Sequence, residues 1–482
     1  MSQKIQPKNK EQEEAIRAGQ EFIKKSEPDE FLLIAGKAGT GKTTIAMGIV
    51  EPYINKKVIL VMALAHQAKL VIQEKFIEVF GKNCVTAASL AKGVGMNMDL
   101  ETGKFSVEYQ ERFVKPPIAT ANIIIVDEAS MINEKGLELI MTMKKKKAKV
   151  IFLGDIRQLP PIREKTDPLA DAYSPVFLTK KYVVLKERIR QGEGSPILPF
   201  SDYFGDNSIK KFPDLSPAKK EVRKSIVLND GALVFYNDIE EVIDEALPLF
   251  QKAVETKDGK IIKVVSYRRD ARIKTNDYIR KKLFGIQQAA NQFVVGDILA
   301  FSDNYTINEL KESLSNGTQI QVTKVERLSQ TYELWKLHFL HESRPASVLA
   351  LDNSEIERHA QDIDNLFLYA QTLHGEKRAS ALSDAWGLKR RFAPVEYAYA
   401  VTSHKSQGST FNTVIVDETD IMTVGPISNR TKSQSLYVAI TRAAVTSIII
   451  DGTEGQEEFL HQALELSKSK IIEKPIPIIR NA

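Results

Sequence analysis

The stretch FLLIAGKAGTGKTTIAMGIV, residues 31–50, carries the reading of the fold. Phe31 to Ala35 are apolar and short enough for a buried strand. They run into a turn holding Gly36, Gly39 and Gly41, and the turn runs into an apolar helical pattern starting near Lys42. Gly36, four further residues and then Gly41-Lys42-Thr43 match the spacing of a phosphate-binding loop, in the strand-then-helix context such a loop needs. Glycine lets the backbone turn tightly enough for its N–H groups to converge on phosphate oxygens. The helix N-terminus adds a positive dipole end. Lys42 would reach the β- and γ-phosphates of a nucleoside triphosphate, and the Thr43 hydroxyl would ligate Mg²⁺. An ordinary glycine-rich turn is the plain alternative, and the Lys-Thr pair argues against it.

The chain of 482 residues has room for about three domains of ~150 residues, and its 43% hydrophobic content supports large cores. One cysteine, Cys84, excludes an intramolecular disulfide and a four-cysteine zinc site. A reducing, cytoplasmic setting fits. No apolar run approaches ~18 residues, so no membrane span is expected. The opening MSQKIQPKNKEQEE is polar and lacks the apolar core of a signal peptide. A net charge of +5 permits a polyanionic partner without demonstrating one. The run Lys144–Lys147 lies between a helical pattern and a strand, and reads as a solvated helix end rather than a nucleic-acid patch.

Short apolar runs at Phe31–Ala35, Val58–Met62, Ile123–Val126 and Val150–Leu153 alternate with helical patterns, which predicts an α/β domain with a parallel sheet. A second series, Ile261–Ser266, Tyr397–Thr402, Val414–Val416 and Ser447–Ile450, predicts another α/β domain in the C-terminal half. Two segments break the alternation. DLETGKFSVEY, within residues 93–118, reads as a hairpin turning at Glu101 to Lys104. Within residues 319–395, Trp335, Leu337 and Phe339 alternate with Lys336 and His338 as a half-buried antiparallel strand, and a small β-barrel followed by helices is expected there.

IIIVDEASM places Asp127 and Glu128 at the end of a buried strand. Burial penalises charge, but the carboxyl end of a parallel strand can face a cleft. Asp127 would orient Mg²⁺ and Glu128 would act as general base. A strand-end pair capping the next helix is the alternative. In FLGDIRQLPPI, Asp155 and Gln158 stand where a side chain could sense a γ-phosphate. Arg190 in LKERIRQ and Arg442 in LYVAITRA could stabilise transition-state charge, worth about 10³–10⁵ in rate. Taken singly, either arginine reads as a surface residue.

GKAGTGKT, DEAS, GDIRQLPP, RIRQ, HKSQGST and LYVAITRA occur in that order, and with NKEQEEAI ahead of them the set spans residues 9–443. The set resembles the helicase motifs of superfamily 1. The LPP ending resembles the 1B branch, the RecD-like and Dda-like enzymes. The hairpin insert, SYRRDARIKTNDYIRKKLFG and AWGLKRRF resemble Dda-like proteins. The resemblance implies two tandem RecA-like parallel-sheet domains. One spans 1–92 with 119–195, and the other 196–318 with 396–482. A hairpin wedge (93–118) is inserted in the first and an SH3-like β-rich module (319–395) in the second.

It also implies roles for individual residues. Gln12 would read adenine. Gly36, Gly39, Thr40, Gly41, Lys42, Thr43 and Thr44 would hold the phosphates, with Gly408 from the fifth motif. Thr43 and Asp127 would hold the metal. Lys42, Asp127, Glu128, Gln158, Arg190 and Arg442 would carry catalysis. His66, Thr86, Thr402, His404 and Lys405 would contact single-stranded DNA. Phe105 would split the duplex, or else would pack the hairpin onto its own domain. Ala88 stands where relatives often carry His, Thr410 where many carry Glu, and ALAH lacks a common Pro-Thr.

The implied activity is an ATP- and Mg²⁺-dependent DNA helicase moving 5′ to 3′, acting as a monomer on single strands and junctions, in replication or recombination. A single-strand-binding protein is a candidate partner, and no membrane is. A translocase that strips proteins from single strands is the nearest alternative. An RNA-directed helicase and a nucleotide-switched scaffold are further ones, and the second arginine-bearing half argues against the scaffold.

Overall fold

The computed structural model describes residues 5–472 apart from 65, 99–104, 108–114, 162–171, 189–193, 212, 214, 216–222, 304, 308–311, 315–316, 342 and 426. By contacts the chain forms two compact units. The first comprises residues 1–239, 265–269 and 402–482; the second comprises 240–264 and 270–401.

The first unit opens with α1 (Lys10–Lys25), capped by the Asn9 side chain on the Gln12 N–H. Then come β1 (Phe31–Gly36), α2 (Lys42–Val50), β2 (Ile59–Ala63), α3 (His66–Phe80) and β3 (Thr86–Ser89). β4 (Met96–Met98) and β5 (Phe105–Val107) pair antiparallel as the expected hairpin, with Met98 opposite Phe105. Its turn lies outside the described residues. β6 (Ile123–Asp127), α4 (Glu134–Met143), β7 (Lys149–Gly154), β8 (Tyr182–Leu185), α5 (Ile197–Ser208), β9 (Ile226–Leu228) and β10 (Gly231–Tyr236) follow.

The first sheet runs β3-β2-β6-β7-β1-β8, and its pairings are all parallel. β2 is buried along its whole length and β6 along all but its last residue, because helices cover both faces of such a sheet. Register sets Ala35 against Gly154 and Val126 against Phe152, so β1, β6 and β7 deliver their carboxyl ends to one edge. Lys144 is buried and its Nζ donates to the Pro28 carbonyl, while Lys145 to Lys147 are exposed. That lysine run therefore ends a helix, as its sequence context suggests.

In the second unit, β11 (Ile262–Ser266) is where the chain returns towards the first unit, and α6 (Arg269–Phe284) follows it. Small antiparallel sheets then form from β12 (Ile298–Phe301), β13 (Tyr305–Ile307), β14 (Glu312–Leu314), β15 (Gln319–Gln321), β16 (Lys324–Ser329), β17 (Glu333–His341) and β18 (Arg344–Leu351). Two helices, α7 (Ile356–Gln371) and α8 (Gly375–Lys389), precede β19 (Val395–Tyr397) and β20 (Ala400–Thr402). Leu337 and Phe339 are buried and Trp335 is half-buried, the alternation of a one-sided strand. Leu299 and Phe301 share one core with Leu337, Phe339 and Val348, which is why this unit begins before residue 319. Inside it, Arg280 grips the buried Asp297 with Nε at 2.8 Å and Nη2 at 2.9 Å.

The chain re-enters the first unit with α9 (Ser403–Ser406), β21 (Phe411–Asp417), α10 (Asn429–Ile440), β22 (Ala443–Ile450) and α11 (Glu457–Ile472). β21, β22 and β10 are parallel, and β9 adds an antiparallel edge. β21 ends in its own acidic pair, Asp417-Glu418. Glu418 is buried and takes both ends of the Arg223 guanidinium, at 2.6 and 3.1 Å. Asp417 caps the Asp420 N–H at 2.9 Å.

Burial, with the neighbouring Asp420, pushes the Asp417 carboxyl up to about 6 from 3.8. The folded chain therefore holds this proton where the unfolded chain has lost it, and the contribution to stability falls as pH rises from about 4 to about 6. Asp417→Asn keeps an oxygen for the cap and removes the charge. Its melting temperature is expected to drop less between pH 5 and pH 8 than that of the wild type, measured by calorimetry at both pH values.

Candidate nucleotide and nucleic-acid site

The glycine-rich loop leaves β1 and enters α2. Gly41 sits at φ 84° immediately before Lys42, a conformation that a side chain would strain. A cavity of about 350 Å³ opens over this loop, within the range of small-molecule sites. The first part of the chain lines it with Lys8, Gln12, Gly39, Gly41, Lys42, Thr43, Thr44, Ile72, Lys75, Asp127, Glu128 and Gln158. Gly408, Ser409, Thr410 and Arg442 line it from the last 80 residues or so of the chain. Residues remote in sequence thus share one cavity within the first unit.

Lys42 Nζ donates to the carbonyls of Gly36 at 2.7 Å and Lys37 at 3.1 Å, closing the loop on itself. Gln12 Nε2 donates to the Thr40 carbonyl at 3.1 Å, and Gln12 Oε1 accepts the Lys8 N–H at 2.9 Å. One N–H and one lone pair of that amide stay available to a base. Burial pushes the Asp127 carboxyl up, opposed by its bond from the Glu128 N–H and by the charges of Lys42 and Lys75. Burial raises Glu128 as well, reinforced by Asp127 and opposed by Arg442, Lys42 and a bond from Gln407. Glu128 also holds φ 55°, strained for a residue with a side chain. Even with these cations near, burial leaves both carboxyls raised, a setting that favours further positive charge. The oxygen donors Thr43 and Asp127 suit Mg²⁺, which keeps several water or phosphate ligands. Among the described residues no group of three or more His, Cys, Asp or Glu could hold a metal by itself. Such an ion would depend on phosphate and water.

Arg442 is buried, with Nε donating to the Val438 carbonyl at 3.0 Å and Nη1 to the Ser409 carbonyl at 3.1 Å. The cavity therefore brings together Gln12, Lys42, Thr43, Thr44, Asp127, Glu128, Gln158, Gly408 and Arg442. Thr410 also lines it. Arg190 lies outside the described residues, as do the side chains of His66 and Phe105. His66 begins α3 and Phe105 begins β5. Thr86 is exposed at the start of β3, and Ala88 on the same strand is buried. Thr402 caps α9 through the Lys405 N–H at 3.4 Å, Lys405 is exposed, and the His404 ring lies 5.6 Å from that of Tyr267. Burial pushes His404 down to about 4, so its imidazole is neutral at pH 7.

Three residues of the site went unread in the sequence. Gln407 touches Gln158, Ser130 and Glu128. Tyr437 donates to Asp155 Oδ2 at 2.7 Å and accepts the Ala38 N–H at 3.2 Å, bracing the phosphate loop from behind. Both lie inside quoted motifs, HKSQGST and LYVAITRA, and a motif does not show which way its members face. Lys75 has no local signal, since only the packing of α3 turns it towards Asp127. α5 adds Asp202 and Asp206, which pair with Lys37 at 3.2 and 3.3 Å, and Asp206 also takes Arg157 at 2.9 Å. A Cβ on Gly205 would stand 2.8 Å from the Tyr437 ring, so α5 and α10 need glycine there.

Residues 19–164 match the AAA domain family and residues 397–450 the UvrD-like helicase C-terminal domain. The ATP-dependent DNA helicase dda of Enterobacteria phage T4 is 25% identical, over 86% of this chain and 93% of that protein. An uncharacterized protein of Methanocaldococcus jannaschii is 23% identical over 98% of this chain, which spans 40% of the length of that relative. The fold is similar to that of the Pif1 helicase from Bacteroides in complex with ADP-AlF3 and ssDNA. The TM-score is 0.53 at 16% identity, covering 93% of each chain.

Tyr437→Phe removes the brace and strips a donor from a buried carboxylate. It is expected to lower stability by about 2 kcal/mol in urea unfolding. It should also raise the KM for ATP several-fold, because loop geometry binds phosphate in ground and transition states alike. Steady-state ATPase assays check the second effect.

Proposed function

We propose that this chain, which belongs to the superfamily 1B ATP-dependent DNA helicases related to Dda, is a motor that travels 5′ to 3′ along single-stranded DNA and opens duplex DNA ahead of it. The observation that carries the reading is the single cavity lined both by the phosphate loop with Asp127 and Glu128 and by Gly408 to Thr410 with Arg442. A nucleotide filling it touches the loops that follow β1 and β6 and the turns that lead into β21 and β22. It can shift their relation only through its differential affinity for two arrangements, and the Arg442 contact supplies such a difference.

The loop N–H groups and Lys42 hold the phosphates. Thr43 and Asp127 would hold Mg²⁺, which would supply charge neutralisation at the phosphates. Glu128 takes the proton of the attacking water. Arg442, together with Arg190, stabilises charge on the transferred phosphoryl group. Gln12 meets the adenine. Thr86, Thr402, His404, Lys405 and His66 grip the single strand, and the β4–β5 hairpin carrying Phe105 is the wedge. Residues 93–118 and 319–395 are read as inserts in two RecA-like domains, and the motor as a cytoplasmic monomer serving replication or recombination. A single-strand-binding protein is its candidate partner.

Unwinding of matched 5′-tailed and 3′-tailed duplexes tests the reading. Only the 5′-tailed substrate is expected to open, and Lys42→Ala should abolish both ATPase and unwinding while single-strand binding survives. Opening of the 3′-tailed substrate alone reverses the polarity. Displacement of a bound protein without unwinding turns the motor into a stripping translocase.

The grip has its own check. Lys405→Ala should flatten the salt dependence of single-strand affinity by about 0.7 in logarithmic slope. His404→Ala should lower affinity and leave the slope alone, because its ring is neutral at pH 7. Fluorescence anisotropy across a salt series measures both.

A further inference from the structure

Gln407 is buried, and its amide nitrogen faces three acceptors: Gln158 Oε1 at 2.7 Å, Ser130 Oγ at 3.2 Å and Glu128 Oε2 at 3.3 Å. The carboxylate decides which way the amide lies. A carboxylate that is to take a proton from water can only accept, and Gln407 accordingly turns its nitrogen to Glu128 Oε2. The amide oxygen is buried without a hydrogen-bond partner among the described residues. The side chain is therefore held by its nitrogen alone, on groups that line or border the nucleotide cavity.

The backbone of Gln407 closes α9, its N–H donating to the His404 carbonyl at 3.3 Å. α9 is one helical turn, about 6 Å long. The Thr402 side chain caps it at the other end. The turn that exposes Lys405 thus buries Gln407, and it is anchored further by Ser403 Oγ donating to the Ser266 carbonyl at 3.2 Å. Gly408, at φ 79°, then turns the chain into the cavity wall. Lys405 and the Gln407 amide therefore belong to one short, tied turn, which links the exposed lysine to the buried neighbour of Glu128.

We propose that Gln407 is the positioning residue through which engagement of a single strand by the Thr402–Lys405 turn sets Glu128 for attack on the γ-phosphate. The inference rests on the function proposed above. In that step the water oxygen forms the new bond to phosphorus and the bond from phosphorus to the β,γ-bridging oxygen breaks. The proton passes to the Glu128 carboxylate, and ADP and phosphate leave. Gln407 gives up no atom. It donates to Glu128 Oε2, so that the remaining oxygen faces the water, and it ties Gln158 to the same carboxylate.

The test compares ATP turnover with and without oligothymidylate for the wild type, Gln407→Met and Gln407→Asn. Methionine keeps the volume without the amide. Asparagine keeps the amide one methylene short, and guards against a methionine variant that fails to fold. The stimulation ratio, turnover with DNA over turnover without, is expected to fall about ten-fold in both, the scale of one lost donation to a carboxylate. KM for ATP and affinity for oligothymidylate should stay within about three-fold of wild type. A ratio that holds while turnover with and without DNA falls alike places Gln407 in hydrolysis alone and overturns the proposal. So does a loss confined to KM. A wild type that oligothymidylate does not stimulate would instead overturn the motor function itself.

Discussion

Asp127 and Glu128 stand side by side at the end of a buried strand, and burial opposes the charge on each. The surroundings of the pair read as answers to that conflict. Lys42 on α2, Lys75 on α3 and Arg442 in the turn before β22 bring positive charge, and the Asp127 carboxylate accepts the next backbone N–H. Gln407 donates to Glu128 from a segment 279 residues away in sequence. A pair so placed is costly in an empty fold and useful in a phosphate site, where a divalent cation and a proton-accepting carboxylate are both required.

The first unit contains a second acidic pair that meets the opposite fate. VDEA at 126–129 ends β6, and VDET at 416–419 ends β21. The motifs are nearly the same and both follow a buried parallel strand. At the second, Arg223 arrives from 195 residues upstream, takes both oxygens of Glu418, and also pairs with Asp451. Asp417 is spent as a helix cap. The charge is settled within the protein, and no demand for a ligand is left. The two pairs thus differ in where their cations stand: Arg223 is bonded to Glu418, whereas Lys42 and Arg442 line the same cavity as Glu128.

Contacts between remote segments also shape the loop itself. Tyr437 and Asp155 hold it from behind, and α5 sets Asp202 and Asp206 against Lys37 and Arg157. The phosphate loop is therefore supported by elements that follow it by more than a hundred residues. Such support ties the loop to α10, which leads into β22 of the second sheet.

Much of this was legible in the chain alone. Apolar runs bounded by helical patterns located β1, β2, β6 and β7, because a strand buried on both faces has few alternatives in composition. The glycine spacing with Lys42-Thr43 located the phosphate site, because local backbone geometry dictates it. The hairpin at β4–β5 and the half-buried β17 followed from turn chemistry and alternation. Local sequence does not encode what comes from afar. It could not show that Gln407 faces Glu128, that Tyr437 braces Ala38, or that Lys75 turns towards Asp127. Nor could it place Leu299 and Phe301 in one core with Phe339. The order of motifs singled out VDEA, but neither tetrapeptide shows how its charge is settled. Hydrophobic period and turn preference act over a few residues, whereas the charge balance at a buried carboxylate is set by whichever residue packing delivers, and only the folded chain decides that.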